Sequence, residues 1–203
     1  MPDRAKLALR LLAGFVAGLA IWVALSPTWD RIVAASAEPV LRLIESPSVT
    51  RLHQAEDDRI TIERSDFPPR SARPAIAVRD LTFNFILLLM LFAIGPRPLS
   101  SRNVGGFLLS SAILFVTHVA ATVIEVEALY ATQLGPWSAV HYGASGQLVW
   151  GAARQFYRLV GMFAIAFALW WALRDPGPEA RTEAPVRSRP KKRRNRRAVP
   201  RRS

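Results

Sequence analysis

Apolar positions along this chain gather into four runs: LALRLLAGFVAGLAIWVAL at 7–25, LTFNFILLLMLFAIG at 81–95, VGGFLLSSAILFVTHVAATVI at 104–124 and LVWGAARQFYRLVGMFAIAFALWWAL at 148–173. A helix that crosses bilayer hydrocarbon needs about 20 apolar residues, roughly 17 at the least. The first and third runs meet that length. The second is short unless it extends back through AIAVRD, and the fourth is interrupted by Arg154 and Arg158. The pattern predicts an all-α fold over residues 1–173, a polytopic membrane helix bundle with four transmembrane helices. Asp3-Arg4-Ala5-Lys6 and Ala35-Ser36-Ala37 imitate the charged start and cleavage site of a signal peptide. The first run is longer than a signal core of about 7–15 residues, and the A-x-A lies well past it, so a retained anchor is expected. Gly14 and Gly18 stand four apart on that helix, spacing that admits a close helix neighbour.

The connection 26–80 has its own pattern. Ser26-Pro27-Thr28 reads as a helix start. Trp29, Ile32, Val33, Val40, Leu43 and Ile44 follow at helical spacing, and Pro39 is expected to break or restart the helix. The result is an amphipathic helix, lying on the outer membrane surface or packed back on the bundle. In VTRLHQAEDDRITIERSDF, Ile60 and Ile62 alternate with polar residues on one side of Glu56-Asp57-Asp58, which predicts a short β-hairpin. Those three acids are read as a solvated turn, with a cation site as the alternative. FPPRSARP, 67–74, reads as an extended connector.

Charge decides the orientation. The chain of 203 residues carries a net +12. Residues 174–203 hold 12 Lys+Arg and 3 Asp+Glu, a net +9, which leaves +3 for the rest. Arg4, Lys6 and Arg10 precede the first run, Arg97 and Arg102 lie between the second and third, and the basic tail follows the fourth. With four crossings all of these lie on one side, so both termini are expected in the cytoplasm of a bacterial cell inner membrane. The 26–80 segment, with 8 Arg and 9 acids, is long and obeys this rule poorly. Trp22, Trp29, Trp137 and Trp150 then anchor outer ends, and Trp170 and Trp171 an inner one. The tail, Pro- and Arg-rich and nearly without apolar residues, is expected to be disordered. RPKKRRNRR would bind anionic lipid headgroups behind a membrane span, in preference to nucleic acid.

Cysteine is absent, which removes disulfides, thiolate metal sites and cysteine nucleophiles. No phosphate-binding loop, G-x-S-x-G or H-E-x-x-H is present. His53, His118 and His141 sit in separate segments, so no local metal motif forms, and neither a metal nor a cofactor is expected. Ser145, in YGASG, has no base beside it by sequence. The best constellation lies at the outer ends of the third and fourth runs. His118, Thr122 and Glu125 share one helix face, and Arg154 and Arg158 share another at matching depth. A Glu–Arg pair across the two helices would neutralise charges that are costly in lipid. A catalytic or substrate role is the alternative for these residues, and His118 reads equally as a functional group or as a helix–helix hydrogen bond.

A first helix, an outer amphipathic and β-like segment, and later helices with polar outer ends resemble the exosortase/archaeosortase family of membrane cysteine transpeptidases. In that layout the helix carrying the family's cysteine corresponds to DLTFNFILLL, with Asn84 and no cysteine; His118 lies near the family's arginine, and His141 precedes the last helix as its histidine does. Without the nucleophile, the resemblance implies an exosortase-associated membrane protein: a non-enzymatic accessory in a protein-sorting or envelope/exopolysaccharide system. His118, Glu125, His141, Arg154 and Arg158 would face a polytopic membrane protein partner or a substrate segment. The alternative is a cysteine-independent membrane hydrolase or transferase with His118 or His141 as base, and a third reading makes the tail a tether.

Overall fold

The structure, a computed structural model, describes residues 2–55, 59–67, 73–95 and 97–174. The tail beyond Arg174, the acids Glu56-Asp57-Asp58 and most of the 67–74 connector lie outside the described residues.

The elements are α1 (Pro2–Ile44), β1 (Arg51–Gln54), β2 (Ile60–Glu63), β3 (Ala75–Ile76), α2 (Arg79–Thr82), α3 (Asn84–Ala93), α4 (Ser101–Thr132), α5 (Pro136–His141), α6 (Ala144–Phe156) and α7 (Met162–Leu173), with one π-helical turn, Tyr157–Gly161, joining α6 to α7. The chain is mostly helical. Among the described residues three helical rods are long and apolar enough to cross a membrane: Ala5–Ile44, Ser101–Thr132 and Ala144–Leu173. Four such segments were expected. The second run instead forms α3, whose ten residues rise only about 15 Å.

The helices run alternately up and down. Gly14 of α1 lies against Met90 and Ala93, and Gly18 against Ile86, so α1 and α3 are antiparallel. A Cβ on Gly14 would stand 3.0 Å from that of Ala93, the close approach that the small-residue spacing permits. On α4, Leu114 shares a buried cluster with Leu88 and Ala166, and Ala121 one with Leu81, Tyr157 and Met162. The rods therefore stand side by side between two ends. One end carries the sheet; the other carries the N-terminus, the 97–100 loop and Leu173.

α1 corrects the expected start at Pro27 and break at Pro39, since it is continuous through both. Pro27 has no N–H for the carbonyl of Val23, but the Ser26 hydroxyl donates to that oxygen at 3.4 Å. Around Pro39, burial of Ala37 and Leu41 holds the helical path, because packing overrides propensity. The amphipathic stripe is also rephased. Val33, Ala34, Ala37 and Leu41 are buried, whereas Ile32, Val40, Leu43 and Ile44 are exposed. Of the two placements weighed for this segment, the structure takes the packed one, against the sheet and α4.

β1, β2 and β3 form one antiparallel sheet in that order. Ile60 and Ile62 point into the core with Ile76, Val78, Val123, Val126 and Tyr130, while Thr61 and Glu63 turn away. The sheet thus caps α1 and α4.

At the far end two adjacent glycines differ sharply. A Cβ on Gly106 would run into the carbonyl of Leu173, whereas one on Gly105 would meet open space. Gly106→Leu is expected to lower stability by about 1–3 kcal/mol through overpacking, and Gly105→Leu to leave it unchanged. Denaturant titration of the detergent-solubilised protein checks this, and equal effects would refute the packing.

Candidate functional site

His118 is fully buried on α4, edge-on to Trp29, whose ring also packs against Phe85 and Phe115. Trp29 Nε1 donates to its Nδ1 at 3.2 Å. Indole N–H is only a donor, so Nδ1 carries no proton and the ring is neutral. Nε2 therefore carries the hydrogen and donates to Asn84 Oδ1 at 2.8 Å. Asn84 Nδ2 donates in turn to the carbonyl of Met162 at 2.9 Å. This relay joins α1, α4, α3 and α7, and it uses both nitrogens of the imidazole. Thr122, one turn on, turns its hydroxyl back to the His118 carbonyl. Trp29, expected as an interfacial anchor, has its indole N–H directed into the bundle instead.

Glu125 is 5 % exposed and meets both arginines of the rod opposite. Arg158 grips it in two places, Nε to Oε2 at 3.1 Å and Nη2 to Oε1 at 2.9 Å. Arg154 Nη2 reaches Oε1 at 2.8 Å. A forked guanidinium matches a carboxylate in this way. Three predicted site residues are thereby brought together, and His118 lies two turns away on the same helix. His141 is elsewhere. It is exposed, stacked on Trp137 with centroids 4.1 Å apart, and its Nδ1 lies 2.9 Å from the Trp137 carbonyl.

A polar cluster under the sheet was not predicted. Arg64 and Glu45 have side chains only 3 % exposed, with Nη1 and Oε2 3.1 Å apart. Arg64 also forks onto Asp66 at 2.9 and 3.0 Å. Thr50 is the hub: it donates to Glu45 at 2.7 Å, accepts from Arg64 at 3.2 Å, and lies 2.9 Å from the Tyr130 hydroxyl. The guanidinium sits over the rings of Tyr130 and Trp137, 5.1 and 5.3 Å from their centroids. Burial pushes the Glu45 carboxyl above its ordinary range, against the pull of Thr50 and Arg64. The Arg64 hydrogen bond holds Asp66 below its range. Burial opposes charge on Arg64, but Asp66 and Glu45 outweigh it and raise its pKa. Burial, then the neighbouring Glu127 carboxylate, raises the Tyr142 phenol, which donates to Glu127 Oε2 at 2.7 Å. A second polar set, buried Asp30 and Thr82 with the partly exposed Arg79, ties α1 to α2. The only sequence signal for either cluster was an excess of Arg and acid in 26–80. Among the described residues no three His, Asp or Glu side chains gather as metal ligands.

If the relay holds the helices, His118→Ala and Asn84→Ala should each cost about 1–3 kcal/mol, and the double variant distinctly less than their sum. A double-mutant cycle in detergent measures this coupling; additive losses would show that the two side chains act independently. The chain matches no family model, no curated protein and no solved structure.

Proposed function

We propose that this is a non-enzymatic accessory protein of a bacterial inner-membrane sorting or envelope system of the exosortase type, and that its sheet end docks a partner. The observation that carries this reading is the commitment of His118, the candidate base inside the bundle, and of Glu125; His141, the other candidate base, stands exposed on Trp137 away from both. Both nitrogens of His118 and both oxygens of Glu125 are engaged between helices, so neither is available to move a proton. The sheet end, by contrast, presents side chains such as His53 and His141 to solvent, on a compact platform fixed to the bundle. In the resembled layout Asn84 falls in the stretch that corresponds to the nucleophile's helix and His118 near the arginine. Their bond to each other supports reading the chain as a relative without the chemistry.

In this reading α2 and α3 together make a fourth, short passage, and the up–down order of the helices favours it. The sheet, with its β1–β2 hairpin, then lies outside. The termini lie in the cytoplasm, where Lys6, Arg97, Arg102 and the basic sequence of the tail would meet anionic headgroups. A fusion reporter placed after Ser203 should report cytoplasm, and one inserted at His53 should report the outside. Opposite sides for the two termini would sink the fourth passage.

Partner docking is checked by a photocrosslinking residue at His53 in the native cell. Recovery of an exosortase-type polytopic protein is expected. Capture of lipid and self alone would overturn the reading.

A further inference from the structure

Between the end of α1, the polar cluster and α5 lies a cavity of about 270 Å³, walled by Glu45, Arg64, Glu127, His141, Tyr142 and Trp150 among others. Among the described residues its charges do not balance: one guanidinium, Arg64, shares this cluster with three carboxylates, Glu45, Asp66 and Glu127. Glu45 and Asp66 both pair with Arg64. Glu127 is 4 % exposed and receives one hydrogen bond, from the Tyr142 hydroxyl to Oε2. Among the described residues its Oε1 has no hydrogen bond and no ion pair. A carboxylate buried without a cation is costly, and this one lines the cavity.

The walls suit a cation. Tyr142 and Trp150 supply aromatic surface, which attracts cations by the charge distribution of its rings. Arg64 is already held by carboxylates and aromatic faces in the same cluster. The volume falls just below the roughly 300 Å³ at which drug-sized ligand pockets begin, so the space fits a side chain. Calcium or magnesium would need six or more oxygen ligands, and among the described residues no three His, Asp or Glu side chains gather as metal ligands. The chain's own basic tail leaves from Leu173, packed at the far end beside Gly106, the length of the bundle away. The cavity wall is built largely from residues 44–46, 64 and 137–142, outside the most apolar stretches of the rods, which favours a ligand arriving from water over one arriving from lipid.

We infer that this cavity receives the cationic side chain, lysyl or arginyl, of a partner segment, with the free Oε1 of Glu127 as its counter-ion. The inference rests on reading the sheet end as a docking face and names what that face recognises.

Calorimetric titration of the full-length protein in nanodiscs tests it with three probes: N-acetyl-lysine methylamide, its neutral norleucine counterpart, and glycerophosphoethanolamine. Saturable binding of the lysine probe, none of norleucine, weaker binding of the lipid amine, and about tenfold weaker lysine binding by Glu127→Gln are expected. Equal binding of lysine and norleucine, or binding of neither, overturns the inference. Tighter binding of glycerophosphoethanolamine assigns the cavity to a lipid headgroup and also overturns it. The probe comparison on the unaltered protein stands even if Glu127→Gln fails to fold. Capture of the partner from His53 alongside a failed lysine titration would leave the docking reading intact and remove only the cation pocket.

Discussion

Four helices of this protein meet at one hydrogen-bonded relay, and its polarity is fixed by chemistry. Trp29 can only donate, so His118 must accept at Nδ1 and donate at Nε2; Asn84 must then accept at Oδ1 and donate to Met162. A protonated imidazole would lose the Trp29 bond. The relay therefore requires a neutral histidine, which is also the form that is less costly to bury in an apolar bundle. Helices in lipid gain no hydrophobic advantage from meeting one another, so directional bonds and close packing set their register. Here the relay sets direction, and Gly14, Gly18 and Gly106 permit approach.

The same constraint explains the charged residues. Glu125 lies where α4 leaves its most apolar stretch, and Arg154 and Arg158 meet it from the opposing rod. Two guanidiniums on one carboxylate leave a net positive charge at that level. Both arginines are partly exposed, so their excess charge can reach headgroups or water along the side chain. The π-helical turn begins at Tyr157 and contains Arg158. Its extra residue alters the phase of the rod between the arginines and Met162. Arg158 can then face Glu125 while the Met162 carbonyl faces Asn84.

Much of this was legible in the sequence, because periodicity and spacing are local. The α4 rod, the shared face of His118 and Glu125, and the arginine pair all follow from counting along a helix. What escaped depended on contacts between distant segments. Nothing near Thr50 announces that it joins Glu45, Arg64 and Tyr130. Pro27 was misread because its consequence depends on whether a neighbouring hydroxyl takes the freed carbonyl. The stripe in 29–44 was misphased because small residues, Ala34 and Ala37, form the buried face. Large apolar residues such as Leu43 dominate a hydrophobicity pattern even where they stay outside. The relay was half visible: His118 was conspicuous, but its partners lie 34 and 89 residues away.

Glu125 and Glu127 show how position on one turn decides what a carboxylate can do. Two residues apart on a helix, they point roughly 200° apart. Glu125 is turned to the α6–α7 rod, where two arginines engage both its oxygens. Glu127 is turned to the sheet end, where Arg64 is already held by Glu45 and Asp66, and among the described residues only the Tyr142 hydroxyl bonds to it. The first acid is a completed contact, and removing it would strand two cations. The second is incomplete among the described residues, and its shortage of positive charge lies beside an aromatic wall open enough to admit a side chain. Structure and recognition therefore divide between the two faces of α4: one face closes the bundle, and the other leaves a carboxylate for a cation that the described residues do not supply.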